Sequence, residues 1–429
     1  MKISLVTIGS TGDVRPYMLL GKELKKRGHT VTIAAFASFE KMVRDAGLEF
    51  YPLSGDVVKL MSHIMGPSVK GFNYLNEVEK ALKEVAEPLL HDLMMSCGDA
   101  DAMCCTFFGS LYYSIAEKYN IPCIQTHYCP MDSNTMTPIS SAPGQRLGKT
   151  WNRTTYRLGY LLISLLEKKY LTSWRKENGM APQKLRTTPA YDMNGTIPVI
   201  YAMSPLVMPR PREWGEHIHM SGFWWDNEPI DYTPPEDLVK FLENGETPIY
   251  IGFGSMVSGN MSKTFATVIR AIHASKVRAI VNLGWGGDKM HLKSNSRIYF
   301  GDYIPHDWLF PRVKAVVHHG GAGTTAAGLK YGKPTLVVPF GGDQPFWGGR
   351  VHAIGCGPKP IPRQRLTITR LSKALIDLTK RSSYAVAAEE VAQRMSREEG
   401  TQVAADIIER EITAWYNAQG KEHPDHDRK

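Results

Sequence analysis

The sequence predicts an α/β protein made of two consecutive open parallel-sheet domains that face each other across a cleft. Three observations carry this. The first residues run strand, amphipathic helix, strand, the βαβ opening of a parallel sheet. A second strand-and-helix series starts at Pro248, after a stretch punctuated by prolines. Finally, 429 residues exceed what one hydrophobic core normally supports.

Residues 2–8 read as a buried strand, 9–16 as a Gly/Ser-rich loop, and 17–27 as a helix closed by Gly28 at its C′ position. A strand over 30–36 follows. Alternation resumes with strands at 102–108 and 122–126 around a helix at 111–119. From 132 to 188 the chain turns basic, aromatic and helical, with Trp151, Tyr156, Tyr160 and Trp174. That insert is either a helical excursion packed on the first domain, a cap over an acceptor pocket, or a membrane contact. Pro205, Pro209, Pro211, Pro229, Pro234 and Pro235 mark a linker. The expected domains are therefore 1–225 and 248–405, with 226–247 between them. A helix and tail at 406–429 would pack back on the first domain through Ile408, Ile412, Trp415 and Tyr416. The second series continues with a helix at 263–274, strands at 278–283 and 313–318, a helix at 324–331 and a strand at 335–340. Two or three helices cover 367–419.

Composition narrows the function classes. A net charge of +9 favours anionic partners, but the basic residues are scattered, grouped only as in Lys25, Lys26 and Arg27, which argues against nucleic acid. Cys97, Cys104, Cys105, Cys123, Cys129 and Cys356 form no Cys-x-x-Cys pair and have no His at zinc spacing, so a reduced, metal-free interior is expected. No apolar h-region with a cleavage site opens the chain, and the longest apolar run, 160–166, is too short to span a bilayer. The expected location is cytoplasmic, at most membrane-peripheral.

In open α/β sheets ligands bind at the carboxyl ends of the strands, so the loops after the strands carry the chemistry. The strongest local pattern is His318-His319-Gly320-Gly321-Ala322-Gly323-Thr324-Thr325, between a strand and a helix. Glycines let the backbone approach a ligand, and a helix N-terminus favours an anion such as a diphosphate. The same turn would also serve tight packing alone. It is not a Walker loop, and the first βα turn lacks Gly-x-Gly-x-x-Gly, which removes the main support for ATP hydrolysis or hydride transfer. Asp343 and Gln344 set a carboxylate beside an amide, which together accept from and donate to neighbouring oxygens; Asp343 equally suits a helix N-cap. Asp13 follows the first strand, as a base or as a cap. Asp99-Ala100-Asp101 precedes a strand, where turn-forming Asp is common, and is discounted as a metal motif. His127 follows a strand and either lines the acceptor site with Gly12 or is structural.

The 318–325 run, with Gly332-Lys333-Pro334, Pro339-Phe340 and Gly342-Asp343-Gln344-Pro345-Phe346-Trp347, resembles the donor-binding signature of glycosyltransferases that use UDP- or dTDP-sugars on lipophilic acceptors. Pro305-His306-Asp307-Trp308-Leu309-Phe310 and Gly9-Ser10-Thr11-Gly12-Asp13-Val14-Arg15-Pro16 are most similar to the sterol glucosyltransferases and their bacterial relatives acting on macrolides, glycopeptides and polyketides. The likeness covers nearly the whole chain. It implies the GT-B fold, two Rossmann-like domains across a cleft, with acceptor contacts from the first and donor contacts from the second. By position it implies diphosphate contacts at His319, Gly321, Gly323 and Thr324, with Gly254 and Ser255 beside the phosphates. It also implies sugar contacts at Asp343 and Gln344, base stacking on Tyr303 with Ile304 beside it, and Asp13 as catalytic base. Ala327 stands where plant relatives have a ribose-binding Glu.

The expected activity is inverting, metal-independent transfer of a hexose, glucose first, from a UDP-sugar to a hydroxyl of a sterol, polyketide, macrolide or phenolic aglycone, with no cofactor. A dTDP-sugar is the other donor the resemblance admits. A sugar-nucleotide epimerase of the same fold and a non-catalytic nucleotide-sugar or lipid-binding protein are the rivals.

Overall fold

The computed structural model describes residues 1–56, 72–106, 109–139, 147–186, 191–192, 195–225, 231–254, 261–284, 292–422 and 424. They form two compact units: residues 1–205, 209–226 and 399–429, and residues 206–208 and 227–398.

The first unit is built on seven strands: β1 (Lys2–Val6), β2 (Thr30–Phe36), β3 (Glu49–Leu53), β4 (Ala102–Cys105), β5 (Cys123–His127), β8 (Val199–Tyr201) and β9 (Ile218–Met220). Their order is β3-β2-β1-β4-β5-β8-β9, with every adjacent pair parallel. Buried on both faces, the central strands read as near-continuous apolar runs, which is how β1, β2 and β4 announce themselves. The three-residue strands β8 and β9 stand on either side of Pro205, Pro209 and Pro211, and their sheet partners supply the signal that so short a segment lacks. A small antiparallel pair, β6 (Tyr191–Asp192) and β7 (Gly195–Thr196), stands apart.

Helix α1 runs Thr11–Lys26, starting well before residue 17, where the sequence reading placed it. Ser10 is its N-cap: Ser10 Oγ accepts from the Gly12 N–H at 3.2 Å, and the Ser10 N–H donates to Asp13 Oδ2 at 2.7 Å. This reciprocal capping box outweighs Pro16, which sits inside the helix and costs one intrahelical bond. The remaining helices of this unit are α2 (Glu40–Asp45), α3 (Phe72–Cys97), α4 (Gly109–Tyr119), α5 (Lys149–Glu177) and the C-terminal helix (Gly400–Ala418). The C-terminal helix buries Ile407, Ile408, Ile412 and Tyr416. Arg27 bonds to Glu409 at 3.0 Å and to the Gln402 carbonyl at 3.1 Å, and Tyr416 Oη donates to the Asp101 carbonyl at 3.0 Å. Gly400 meets the Phe223 carbonyl so closely that no Cβ fits.

In the second unit β10 (Ile249–Gly252), β11 (Ala279–Asn282), β12 (Ile298–Gly301), β13 (Val316–His318) and β14 (Thr335–Val337) form a parallel sheet of order β12-β11-β10-β13-β14. Alternation along β10 splits its core. Ile249 and Ile251 pack on one face with Phe265, Val268, Leu371 and Leu375. Tyr250 points to the other face, against Leu238, Phe241 and Phe310. Leu238 and Phe241 belong to α6 (Glu236–Glu243), so part of the stretch expected to be linker contributes core to this unit. Arg278 fixes it, its guanidinium 4.2 Å from the Phe241 ring and donating to the Phe241 carbonyl at 2.6 Å. The second unit thus takes in 206–208 and 227–398, where the sequence led us to expect 248–405. Further helices here are α7 (Met261–Ser275), α8 (His306–Leu309), α9 (Ala322–Lys330), α10 (Gln344–Ala353), α11 (Ile368–Lys380) and α12 (Ser382–Met395). The C-terminal helix is therefore α13.

Candidate active site

Strand order reverses once in each sheet, between β1 and β4 and between β10 and β13, and the crevice at such a reversal is the usual ligand site. The loops that follow these strands hold most of the residues singled out in the sequence.

In the second unit the loop after β10 ends its described part at Gly254, whose φ of +59° calls for glycine. A Cβ there would sit 3.1 Å from His319 Cε1, and one on Gly321 would sit 2.6 Å from His319 Nε2. The His319 imidazole is thus seated between glycines of two different loops. Ser255 lies outside the described residues. His318, fully buried at the end of β13, accepts the Gly320 N–H on Nδ1 at 2.9 Å, which pins the turn where Gly320 adopts φ +99°. Gly321 is the N-cap of α9 and offers no side chain to it. The Thr325 N–H and Oγ1 both bond to the Gly321 carbonyl at 2.9 Å, whereas the N–H groups of the turn before it have no place in the helical ladder. A Cβ on Gly323 would meet nothing within 4 Å, so the approach is open, and Thr324 is half-buried beside it. Burial lowers the His319 pKa to about 4, so at neutral pH it offers an N–H and not a fixed charge.

Asp343 occupies the N-cap position of α10, yet its side chain does not cap. Its Oδ2 instead accepts the indole N–H of fully buried Trp347 at 2.9 Å, one turn on, which fixes the half-buried carboxylate. Gln344 is buried, and its Oε1 accepts from the Phe340 N–H at 2.7 Å and the Gly341 N–H at 3.3 Å. That amide oxygen holds the loop. Tyr303 stands 67% exposed after β12, available to stack, and Ile304, next in the chain, is buried in the core. Ala327 packs with the Tyr250 side of the core.

In the first unit Asp13 is the third residue of α1, accepting from the Ser10 N–H and, at 3.1 Å, from Ser10 Oγ. Part of the residue stays exposed, but protein atoms crowd its carboxylate. Burial raises its pKa from 3.8 to about 6, against the lowering effect of both Ser10 bonds. The capping box and the raised pKa belong to the same arrangement, so the cap reading of Asp13 does not exclude the reading as a base. Gly12 is exposed in the same turn. His127 is fully buried at the end of β5, its ring centroid 5.5 Å from that of Tyr201, and burial takes its pKa down to about 3. It is a neutral ring with no surface to offer an acceptor in this conformation. Asp101 accepts the Lys2 N–H at 2.6 Å and Asp99 pairs with Lys2 Nζ at 2.7 Å, so both serve the start of β1. Among the described residues no group of His, Cys, Asp and Glu has the arrangement of a metal site.

Sequence reasoning missed Gly9, His318 and Trp347 as parts of the site. A Cβ on Gly9 would come within 2.5 Å of the Asp13 carboxyl carbon, so that glycine makes room for the carboxylate. Trp347 falls four residues after Asp343 on one helix, a spacing that marks a possible partner.

Residues 3–137 match the glycosyltransferase family 28 N-terminal domain, and residues 277–410 the C-terminal domain of the erythromycin biosynthesis protein CIII-like type. The glycotransferase of kitacinnamycin superposes with a TM-score of 0.70 at 19% identity, over 96% of this chain and 99% of that one. The fold is accordingly GT-B, two parallel-sheet α/β domains of the glycosyltransferase type. The sterol 3-beta-glucosyltransferase UGT80A2 of Arabidopsis thaliana is 37% identical over 93% of this chain, which spans 64% of that relative's length. UGT80B1 of the same plant is 33% identical over 96% of this chain and is itself covered to 68%. The chain belongs to the glycosyltransferase family that includes these sterol 3-beta-glucosyltransferases.

Proposed function

We propose that the chain transfers glucose from UDP-glucose to the hydroxyl of a lipophilic acceptor, a sterol in first place, with inversion at the anomeric carbon. The observation that carries this reading is the His319 seat: an imidazole held between Gly254 and Gly321 at the uncapped start of α9, beside the strand-order reversal. An N–H donor and a helix N-terminus together suit a diphosphate leaving group. The acceptor class is supported by the names of the two plant relatives.

In the proposed reaction the acceptor oxygen attacks the anomeric carbon as the bond to the diphosphate oxygen breaks, and the leaving electrons are stabilised by the α9 N-terminus and His319. No metal is needed for that step. The hydroxyl proton passes to Asp13, whose raised pKa suits a base for an alcohol that acidifies during attack. Asp343, oriented by Trp347, accepts from sugar hydroxyls, and Tyr303 stacks on the base.

The test is a panel of UDP-glucose, dTDP-glucose and UDP-glucuronate against sterols, flavonoids and macrolides, with mass detection of products. A glucosylated sterol formed only with both substrates present is expected. Sugar epimerised without any acceptor, or no product from any pair, would overturn the reading.

A further inference from the structure

Among the described residues, five of the eleven large apolar side chains that remain exposed fall between 147 and 185: Leu147, Leu158, Leu162, Leu165 and Leu185. Leu158, Leu162 and Leu165, 50%, 40% and 47% exposed, follow each other at spacings of four and three along α5 and so form one ridge. Leu185 lies on the chain that returns along α5, where the Arg186 N–H donates to Ser164 Oγ at 3.1 Å. Leaving such a ridge in water is unfavourable, and apolar surface of this kind marks an interaction site.

The charges around the ridge decide its partner. Arg153 and Arg157 stand exposed before it, Lys168 and Lys169 after it. Lys169 pairs with Glu79 at 2.7 Å, and Arg153 lies near enough to Glu213 to lower its pKa. Of the acidic residues of α5, Glu167 is buried and Glu177 is exposed only at the helix's far end, about three turns beyond Leu165, so the exposed charge that α5 places beside the ridge is cationic. Leucines flanked at both ends by long cationic side chains match the boundary of a bilayer, apolar groups at the acyl level and cations among the headgroups. No described helix is long and apolar enough to cross a membrane.

We propose that α5 lies on the surface of an anionic bilayer, with Leu158, Leu162 and Leu165 inserted and Arg157 and Lys168 contacting lipid phosphates and carboxylates. The surface does not depend on the catalytic reading, since none of these residues belongs to the proposed site.

The 429-residue protein is sedimented with vesicles of phosphatidylcholine alone and of phosphatidylcholine mixed with phosphatidylserine. The wild type is expected to pellet with the mixed vesicles, less so as salt rises. Leu158→Gln/Leu162→Gln/Leu165→Gln should lower that partition by roughly tenfold or more, with an unchanged melting temperature because the three side chains lie at the surface. Arg157→Gln/Lys168→Gln should lower it by roughly tenfold to thirtyfold and flatten the salt dependence. Wild type that stays in the supernatant, or charge-pair and leucine variants that pellet like wild type, would overturn the proposal. So would a dimer in sedimentation velocity that only the leucine variant dissolves, since a second copy would then cover the ridge.

Discussion

Asp13 caps α1 and, in the proposed reaction, serves as base, and the two make opposite demands on stability. Its folded pKa is raised, so its contribution to stability is favourable in acid and is lost as pH climbs from about 3.8 through about 6; at neutral pH the charged carboxylate is a net cost. Asp13→Asn should therefore cut kcat by roughly a hundredfold or more while the melting temperature holds or rises. A variant that turns over normally would dismiss Asp13 as base. In the wild type, kcat/KM should rise with pH through a limb near 6, as the free carboxylate loses its proton. A flat profile from pH 5 to 8, a window set by that pKa, would mean that another group takes the proton. His319→Ala should weaken UDP binding by roughly tenfold to a hundredfold, ~1.5–3 kcal/mol for one charge-assisted hydrogen bond, as measured by calorimetric titration. Gly321→Ala should weaken it as well, because its new Cβ would lie 2.6 Å from His319 Nε2 and push the imidazole aside.

At the level of elements, the site is made by turns that join strand to helix. The α1 capping box shapes the Asp13 turn, and the His318 bond to Gly320 shapes the turn before α9. Trp347 does the same for Asp343, and Trp347→Phe should impair donor use with little effect on UDP binding, as read from KM for UDP-glucose against Kd for UDP. Helix α13 matters for a different reason. It fills the first unit from the far end of the sequence, and Ile408→Ala should cost ~2–5 kcal/mol in denaturant unfolding, the usual cost of emptying a buried site. A loss below ~0.5 kcal/mol would mean that the helix contributes little to the unit it packs on.

For the whole molecule, the two units predict separable responses. UDP at about a hundred times its Kd should stabilise the protein to which it binds by ~2.7 kcal/mol. If the units unfold as distinct calorimetric transitions, only the one containing His319 should move. A shift confined to the other transition would put the nucleotide in the wrong unit. Much of this plan was legible in the sequence: the βαβ opening, the second series from Pro248, and the turns that carry His319 and Asp343, whereas Asp13, expected in a loop, lies in the first turn of α1. What could not be read was the far side of each decision. The 227–247 stretch looked like linker because its prolines are local and visible, whereas Leu238 and Phe241 become core only when β10 and β11 stand behind them. Residues 9–16 looked like a loop because of their glycines and Pro16, but the Ser10 and Asp13 pair begins the helix at Thr11.

By itself the sequence determined the fold class, the family and the loops where chemistry is expected, because alternating apolar runs, glycines and prolines act through the local backbone. Tertiary structure alone decided that the His319 ring is clasped by Gly254, that Gln344 turns its carbonyl to the loop, that His127 is sealed in the core, and that Asp13 is crowded enough to hold its proton to about pH 6. Burial and steric contact are set by residues distant in the chain, and no local pattern encodes which of them arrive.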